Sequence, residues 1–365
     1  MKIAILGTRG IPNNYGGFEQ FAEYLSKGLV EMGHEVWVYS GDDHVYKEKT
    51  WEGVNIIHKK NPEAKVGTAG QFIYDFFCIL DSRSRELDII LQLGYTSSSI
   101  WGRLLPSKPI IITNMDGLEW KRSKFSPKVR RFLKYAEKLA VKTSDYLIAD
   151  SKGIQTYLQA TYNQPAEYIP YGTNVDLNPT SSVLEAYAVQ PNGYNMLIAR
   201  MEPENNIETI LNGVVGSNDT APMLVIGNVS NAFGKYLVAK FDGDSRIKFL
   251  GPNYDIQALN SLRYFSNLYF HGHSVGGTNP SLLEAMGSGA LICAHQNEFN
   301  SAILGTDAFY FTDASSISQL LDRKIDKKTH AEFVERNLKK VDSYYRWPLI
   351  INAYEAFFRK VAKSK

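Results

Sequence analysis

The chain begins, over residues 2–40, with KIAILGTRGIPNNYGGFEQFAEYLSKGLVEMGHEVWVYS. The apolar run KIAIL predicts a buried strand, and apolar side chains at helical spacing, ending near Gly33, predict a helix after it. EVWVYS predicts the next strand. A strand, a glycine-containing loop, a helix and a strand in this order are typical of a doubly wound α/β domain.

The alternation of short apolar runs and helical patterns continues along the chain. The runs are NIIH, DIILQL, PIIITN and DYLIAD, and after a polar stretch with Pro179 and Pro191 they resume as NMLIAR, PMLVIG, RIKFLG, LYFHGH and ALICAH. Such alternation predicts parallel sheets with crossover helices. Because 365 residues exceed what one hydrophobic core usually holds, we expect two Rossmann-like domains, 1–175 and 176–346, and a helical tail over about 347–365.

Composition and termini narrow the class of protein. The formal net charge of +2 gives no global case for nucleic-acid binding. Cys78 and Cys293 lie in apolar stretches, which favours buried, reduced thiols. The chain starts directly with a strand, and no apolar run approaches the ~20 residues that span a bilayer. We therefore expect a cytoplasmic protein, and peripheral contact with the inner face of the membrane stays open.

The segment HGHSVGGTNPSLLEAMGSG, residues 271–289, has the pattern of a diphosphate site. Glycines allow a tight turn, a cap residue and Pro280 start a helix, and the helix N-terminus directs N–H groups and its positive dipole end at the loop. Glu284 lies one turn into this helix, within reach of a nucleotide's sugar. An ordinary capped helix is the structural alternative. The candidate binding residues of the turn are Gly276, Gly277, Thr278 and Asn279.

Two further loops follow predicted strands. In NMLIARMEPENNIETI, Arg200 offers a fixed fork of hydrogen-bond donors suited to phosphate oxygens. The structural alternative is an ordinary surface arginine at the end of a strand, which is the more common case. The loop from Gly7 to Gly17 enters a helix at Gly16 and Gly17, where a phosphate or sugar can approach the backbone closely. The remaining candidates for donor binding are Asn205, Gly227, Asn228 and Tyr254.

Cofactor and metal patterns are weak by comparison. Asp42 follows the second predicted strand, but the first loop reads GTRG and lacks the G-x-G-x-x-G fingerprint of a dinucleotide site. Asp242-Gly243-Asp244 has a D-x-D spacing, yet it directly precedes a strand, where a turn is the simpler interpretation. His271 and His273 have no acidic or thiol neighbours in sequence to complete a zinc site. We predict no cofactor and no metal.

A helix beginning near Pro127 combines an apolar stripe with many basic residues. A solvated surface explains such charges by default. Attraction to anionic lipids or to a lipid-diphosphate acceptor is the functional alternative. The basic residues are Lys128, Arg130, Arg131, Lys134, Lys138 and Lys142, preceded by Lys121, Arg122 and Lys124.

Taken together, these segments resemble the retaining family-4 glycosyltransferases over nearly the whole chain. The landmarks are the loop at Gly16 and Gly17, the strand-end Arg200, Glu284 in the EAM segment and the linker-like IPYGTNVD, residues 169–176. The resemblance implies the GT-B fold, with two Rossmann-like domains facing a central cleft. It also implies that the second domain binds the donor and that the C-terminal helix packs back on the first, acceptor-side domain.

Three positions depart from the family pattern. Asn205 replaces the usual lysine, Gly276 replaces the usual glutamate, and Asp116, in TNMDGLEWKR, replaces the usual histidine. This variant pattern resembles a subgroup associated with rhamnosyl transfer in cell-surface polysaccharide synthesis. It implies deoxythymidine-diphosphate rhamnose (dTDP-rhamnose) as donor and a glycan or polyprenyl-diphosphate-linked acceptor.

Retaining transfer in this fold needs no protein nucleophile if the acceptor attacks from the face that the diphosphate leaves. Arg200 and the N–H groups of Gly277 and Thr278 would stabilise the phosphate. Asp116, the other candidate catalytic residue, would hydrogen-bond the donor sugar or stabilise positive charge at its anomeric carbon, and the structural alternative is that it caps its own turn. The competing hypotheses are a GT-B epimerase or phosphorylase and a non-catalytic nucleotide-sugar sensor. The sensor hypothesis follows from the replacements at Asn205 and Gly276.

Overall fold

The computed structural model describes residues 1–14, 16–122 and 124–364. The chain divides into two compact units. The first comprises Met1–Trp120, Phe125–Gly172 and Trp347–Lys365, and the second comprises Lys121–Lys124 and Thr173–Arg346.

Strands and helices alternate through both units. The strands are β1 (Lys2–Leu6), β2 (Glu35–Gly41), β3 (Thr50–Trp51), β4 (Val54–Lys59), β5 (Ile89–Leu93), β6 (Ile110–Asn114), β7 (Tyr146–Ala149), β8 (Ala166–Tyr168), β9 (Asn195–Ile198), β10 (Met223–Ile226), β11 (Ile247–Gly251), β12 (Leu268–His271), β13 (Ile292–His295) and β14 (Phe309–Phe311). The helices are α1 (Gly17–Glu31), α2 (Glu63–Val66), α3 (Ala69–Ser82), α4 (Pro127–Thr143), α5 (Lys152–Tyr162), α6 (Ile207–Val215), α7 (Ala232–Phe241), α8 (Ile256–Phe265), α9 (Pro280–Gly287), α10 (Glu298–Leu304), α11 (Ala314–Asp322), α12 (Ala331–Lys340) and α13 (Trp347–Ala362).

The first unit is built on a sheet that, over the described residues, has eight strands in the order β3-β4-β2-β1-β5-β6-β7-β8. Its central strands β5 and β6 are buried along their whole length, as expected for parallel strands covered on both faces. Every predicted apolar run of this half forms a strand. The helix α1 ends near Gly33, whose φ of +83° suits glycine at a helix C-terminus.

One edge of this sheet departs from the parallel arrangement that the sequence predicts. The strand β3 pairs with β4 in antiparallel orientation. The connecting residues Glu52 and Gly53 both have positive φ, +48° and +81°. Two such residues form the tight turn that joins antiparallel strands, which is why the pattern of apolar runs alone did not indicate it.

The C-terminal helix α13 belongs to the first unit, where it packs on α1. The ring of Trp347 stacks on Tyr24 with centroids 4.5 Å apart, and Tyr354 meets Phe21 edge-on at 5.2 Å. Tyr354 is fully buried, and its hydroxyl accepts a hydrogen bond from Asn114 at 3.0 Å. Aromatic packing of this kind fixes the helix against the unit.

The second unit holds, within the described residues, a six-stranded parallel sheet in the order β11-β10-β9-β12-β13-β14. From β9 the chain moves to one side through β10 and β11, and it then returns to the other side of β9 with β12. The strand order therefore reverses between β9 and β12. Ligands of open α/β sheets bind at such a switch point, beyond the carboxyl ends of the strands.

The predicted buried thiols are confirmed: both Cys78 and Cys293 are free and buried. Among the described residues, no helix combines the length and the apolar character needed to cross a bilayer.

Candidate functional site

The candidate residues of the second unit lie at one edge of its sheet. Because all six described strands run parallel, the loops after their carboxyl ends meet at the same edge. The loops after β9, β10, β11 and β12 carry, respectively, Arg200 and Asn205, Gly227 and Asn228, Tyr254, and Gly276 to Asn279. The loops after β9 and β12 flank the switch point.

The loop after β12 leads into α9 in the way its sequence predicts. Asn279 is the cap residue, and its side-chain oxygen accepts a hydrogen bond from the Ser281 N–H at 3.0 Å. Thr278 is buried, and Gly276 has a φ of +136°, a conformation that favours glycine. A Cβ at Gly276 would meet nothing within 4 Å. The positive end of the α9 dipole therefore points at a turn with open space beside it.

The loop after β9 exposes Arg200 and buries Asn205. The Arg200 side chain is exposed, and among the described residues no hydrogen bond or ion pair engages its guanidinium. Asn205 is 5% exposed, and its amide donates to the Arg200 carbonyl oxygen at 2.8 Å. Asn205, predicted as a donor-binding residue, thus uses its amide nitrogen to hold the backbone of Arg200.

Glu284 is held by a partner that the sequence analysis missed. Its carboxylate accepts a hydrogen bond from Arg263 of α8 at 2.6 Å. The Arg263 side chain is 1% exposed and also donates to Asn260 at 2.9 Å. Arg263 stands on the buried face of α8, four residues after Leu259, and a basic residue at such a position is the signal that could have revealed it.

Two basic residues that the sequence did not indicate lie beside the loop after β9. Arg122 lies 3.6 Å from the carboxylate of Glu204, whose side chain is 3% exposed, and Lys124 lies 3.4 Å from Glu202. These two residues belong to the segment Lys121–Lys124 of the second unit, in which Ser123 lies outside the described residues. In the sequence these two cations adjoin the basic helix α4, but the structure pairs them with the loop after β9.

Two stacked histidines lie at the end of β12 and in the loop that follows it. The rings of His271 and His273 lie 4.5 Å apart and almost parallel. Burial, with smaller contributions from Arg200 and Arg122, lowers the pKa of His273 to about 3. Burial also lowers the pKa of His271 well below its usual value. Both rings are therefore uncharged at neutral pH.

These two histidines should make the protein sensitive to acid. Unfolded histidines bind protons below about pH 6.5, whereas the buried rings stay neutral, so the unfolded state binds more protons there. The stability that both rings contribute is complete above this pH and is lost as the pH falls, by up to about 1.4 kcal/mol per pH unit for each ring. Urea midpoints measured at several pH values should show this slope, and His271→Leu should reduce it. Equal slopes in the wild type, in His271→Leu and in the control His330→Leu would contradict the prediction.

The predicted turn at the D-x-D segment is present. The helix α7 ends at Phe241, and Asp242 and Gly243 form a turn before β11. The Asp244 carboxylate pairs with Arg246 at 2.6 Å, and these hydrogen bonds lower the pKa of Asp244. The segment lies at the amino end of β11, the opposite edge of the sheet from the candidate loops. Among the described residues, no group of three or more His, Cys, Asp and Glu side chains is arranged to hold a metal ion.

The glycine loop of the first unit is tied together by a buried carboxylate. Gly16 precedes α1 with extended backbone, and the carbonyl oxygen of Gly17 accepts a hydrogen bond from the Tyr171 hydroxyl at 2.6 Å. Glu19, 3% exposed, accepts hydrogen bonds from the Arg9 N–H at 2.9 Å and from the hydroxyl of Thr8 at 3.3 Å. Glu19 therefore joins the first turn of α1 to Thr8 and Arg9 at the start of the loop, in which Tyr15 lies outside the described residues.

Asp116 occupies an unusual backbone position directly after β6. Its φ is +48°, in the left-handed region that few residues other than glycine adopt. Its N–H donates to the side-chain oxygen of Asn114 at 3.0 Å, which helps to hold this backbone position.

The sequence matches one known family over part of its length. A family described as a domain of unknown function (DUF1972) matches residues 105–174. No curated protein matches the chain significantly in sequence.

Solved structures match the whole chain at low identity. Sucrose-phosphate synthase (tll1590) from Thermosynechococcus elongatus matches with a TM-score of 0.81 and 15% identity, covering 100% of both chains. Anabaena Alr3699/HepE, in complex with UDP and glucose, matches with a TM-score of 0.78 and 17% identity over 99% of this chain and 100% of the other. A glycosyltransferase from Rickettsia africae ESF-5 has a TM-score of 0.72 and 16% identity over 100% and 99%. The predicted fold is confirmed: the chain has the GT-B fold of glycosyltransferases, with two Rossmann-like α/β domains.

Proposed function

We propose that the chain is a glycosyltransferase that moves a sugar from a nucleotide-diphosphate donor to an acceptor. The observation that carries the proposal is that Arg200 and the N-terminus of α9 both lie at the switch point of the second sheet. Arg200 is exposed, and its guanidinium has no hydrogen bond or ion pair among the described residues. A guanidinium fork and a helix N-terminus both favour phosphate oxygens. The GT-B fold supports the same chemistry by analogy.

The proposed reaction retains the configuration of the sugar. The acceptor hydroxyl attacks the anomeric carbon on the face that the diphosphate leaves, the bond from that carbon to the phosphate oxygen breaks, and the departing oxygen takes the hydroxyl proton. The protein supplies positioning and charge stabilisation. Arg200 and the N–H groups of Gly277 and Thr278 stabilise the phosphate charge that grows as the bond breaks.

The other candidates take supporting roles in this proposal. Glu284 binds a ribose hydroxyl, and the buried Arg263 orients its carboxylate. Tyr254, 80% exposed at the same edge, presents a ring on which a base can stack. Gly227 allows the loop after β10 to pack closely on the loop after β9, since a Cβ at Gly227 would lie 2.1 Å from the Ala199 carbonyl oxygen. Asn228 follows Gly227 in the loop after β10 and is proposed to contact the donor.

In the first unit, Asp116 is proposed to contact the donor sugar, and Gly16 and Gly17 to admit a phosphate or sugar to the backbone. Strained backbone positions cluster at functional sites, and the φ of +48° at Asp116 fits that tendency.

We further propose that the enzyme belongs to the retaining family 4 and that its donor is dTDP-rhamnose. The support is the variant pattern at Asp116 and Gly276 and the open space where a side chain at Gly276 would project. Rhamnose is a 6-deoxy sugar, so its methyl group needs no polar partner. The proposed acceptor is a glycan or a polyprenyl-diphosphate-linked sugar of cell-surface polysaccharide synthesis.

A panel of purified nucleotide sugars with one acceptor tests the donor. We expect kcat/KM for dTDP-rhamnose to exceed that for UDP-glucose by about tenfold or more, because a polar group left unpaired in the pocket costs about 1 to 3 kcal/mol. A clear preference for the UDP-hexose would refute the rhamnose donor and leave the transferase proposal intact. Turnover of donor without acceptor would favour the epimerase, and turnover of a glucan with phosphate the phosphorylase. Tight nucleotide-sugar binding without product would favour the sensor.

A further inference from the structure

The exposed charges of α4 are all positive. Its exposed basic side chains are Lys128, Arg131, Lys138 and Lys142. The acidic residue of this helix, Glu137, has a side chain that is 1% exposed and lies 2.8 Å from Lys134. It also accepts hydrogen bonds from Tyr157 and Tyr162. The acid is therefore turned inward, and the cations outside have no carboxylate of their own helix beside them.

Large apolar side chains stand among these cations. Phe132 is 37% exposed and Tyr135 56%. On the neighbouring helix α3, Ile73 is 40% exposed, and Phe72 contacts Phe132 with ring centroids 5.8 Å apart. Burying such groups in an interior would stabilise the fold, so their exposure together on one surface indicates a binding function.

Basic and apolar groups on one exposed helix match the interface of an anionic bilayer. Aromatic and aliphatic side chains enter the boundary between headgroups and acyl chains, while lysine and arginine contact lipid phosphates. A second copy of the chain would bring two positive surfaces together, and a purely acidic partner would leave the apolar side chains uncovered. Charge complementarity and apolar exposure together favour the lipid surface.

We propose that the α4 surface, formed by Lys128, Arg131, Phe132, Tyr135 and Lys138, docks the protein on an anionic membrane. This inference stands apart from the transferase proposal, since no residue of the candidate donor site belongs to the surface. Each basic residue near an anionic surface strengthens binding several-fold, and the apolar side chains add a component that salt does not screen.

Sedimentation of the full chain with lipid vesicles tests the proposal. We expect binding to vesicles of phosphatidylcholine mixed with phosphatidylglycerol, and little binding to phosphatidylcholine alone. The variant Lys128→Glu/Arg131→Glu should lower the partition coefficient by about tenfold or more. Tyr135→Ser should lower binding at high salt, where the electrostatic attraction is screened.

A matched control separates the local surface from the total charge. Lys235→Glu/Lys339→Glu makes the same change in net charge at exposed positions of the second unit. This control variant should keep most of the wild-type binding to anionic vesicles. Equal losses in the two double variants, equal binding to neutral vesicles, or no binding by the wild type would each overturn the proposal. Circular dichroism of every variant shows that a loss of binding does not come from unfolding.

Discussion

Replacing Arg200 with alanine is expected to lower kcat by about two orders of magnitude or more, with little change in the stability of the second unit. The side chain is exposed and, among the described residues, engages no carboxylate, so its removal breaks no structural ion pair. In the proposed reaction its guanidinium faces phosphate charge that grows as the glycosidic bond breaks. The loss should therefore appear in kcat more than in KM.

Steady-state kinetics of purified variants measure this effect. Arg323→Ala, at an exposed arginine just after α11, is the matched control and should leave kcat unchanged. Arg200→Lys should recover only part of the activity, because an ammonium lacks the fixed fork of donors. Near-normal turnover in Arg200→Ala would remove this residue from the site.

Replacing Glu284 with alanine is expected to have two separate effects. It leaves the buried guanidinium of Arg263 without its carboxylate, which should destabilise the protein by about 3 to 5 kcal/mol. It also removes the proposed acceptor for a ribose hydroxyl, which should weaken binding of the nucleotide diphosphate by about 1.5 to 3 kcal/mol. Urea unfolding measures the first effect and calorimetry the second.

A double variant separates stability from binding. Arg263→Met/Glu284→Ala removes both charges, and buried ion pairs replaced by apolar groups often recover the stability that a single replacement loses. We expect the double variant to fold well and still to bind the nucleotide diphosphate weakly. Normal affinity in this folded variant would show that Glu284 serves only as the partner of Arg263.

The candidate site could be predicted in part because some of its features are local. Asn279 and Pro280 start α9 where the sequence indicates, since a cap acts on N–H groups two or three residues away. The position of Arg200 after β9 follows equally from a short apolar run. The sequence did not indicate the basic partners of three glutamates, because each partner is distant in the chain. Arg263 lies 21 residues from Glu284, Lys124 lies 78 residues from Glu202, and Arg122 is similarly far from Glu204.

By itself, the sequence determined the alternation of strands and helices, the two doubly wound units and the loops that can hold a ligand, because the period of apolar residues reports local burial. Tertiary structure alone decided that Arg263 is buried against Glu284, that Arg122 and Lys124 pair with the loop after β9, and that Asn205 holds the backbone of Arg200. It also decided that the charges of α4 are exposed with their apolar neighbours while Glu137 is buried. The physical reason is that side-chain pairing depends on which surfaces packing brings together, and local periodicity carries no record of contacts between distant residues.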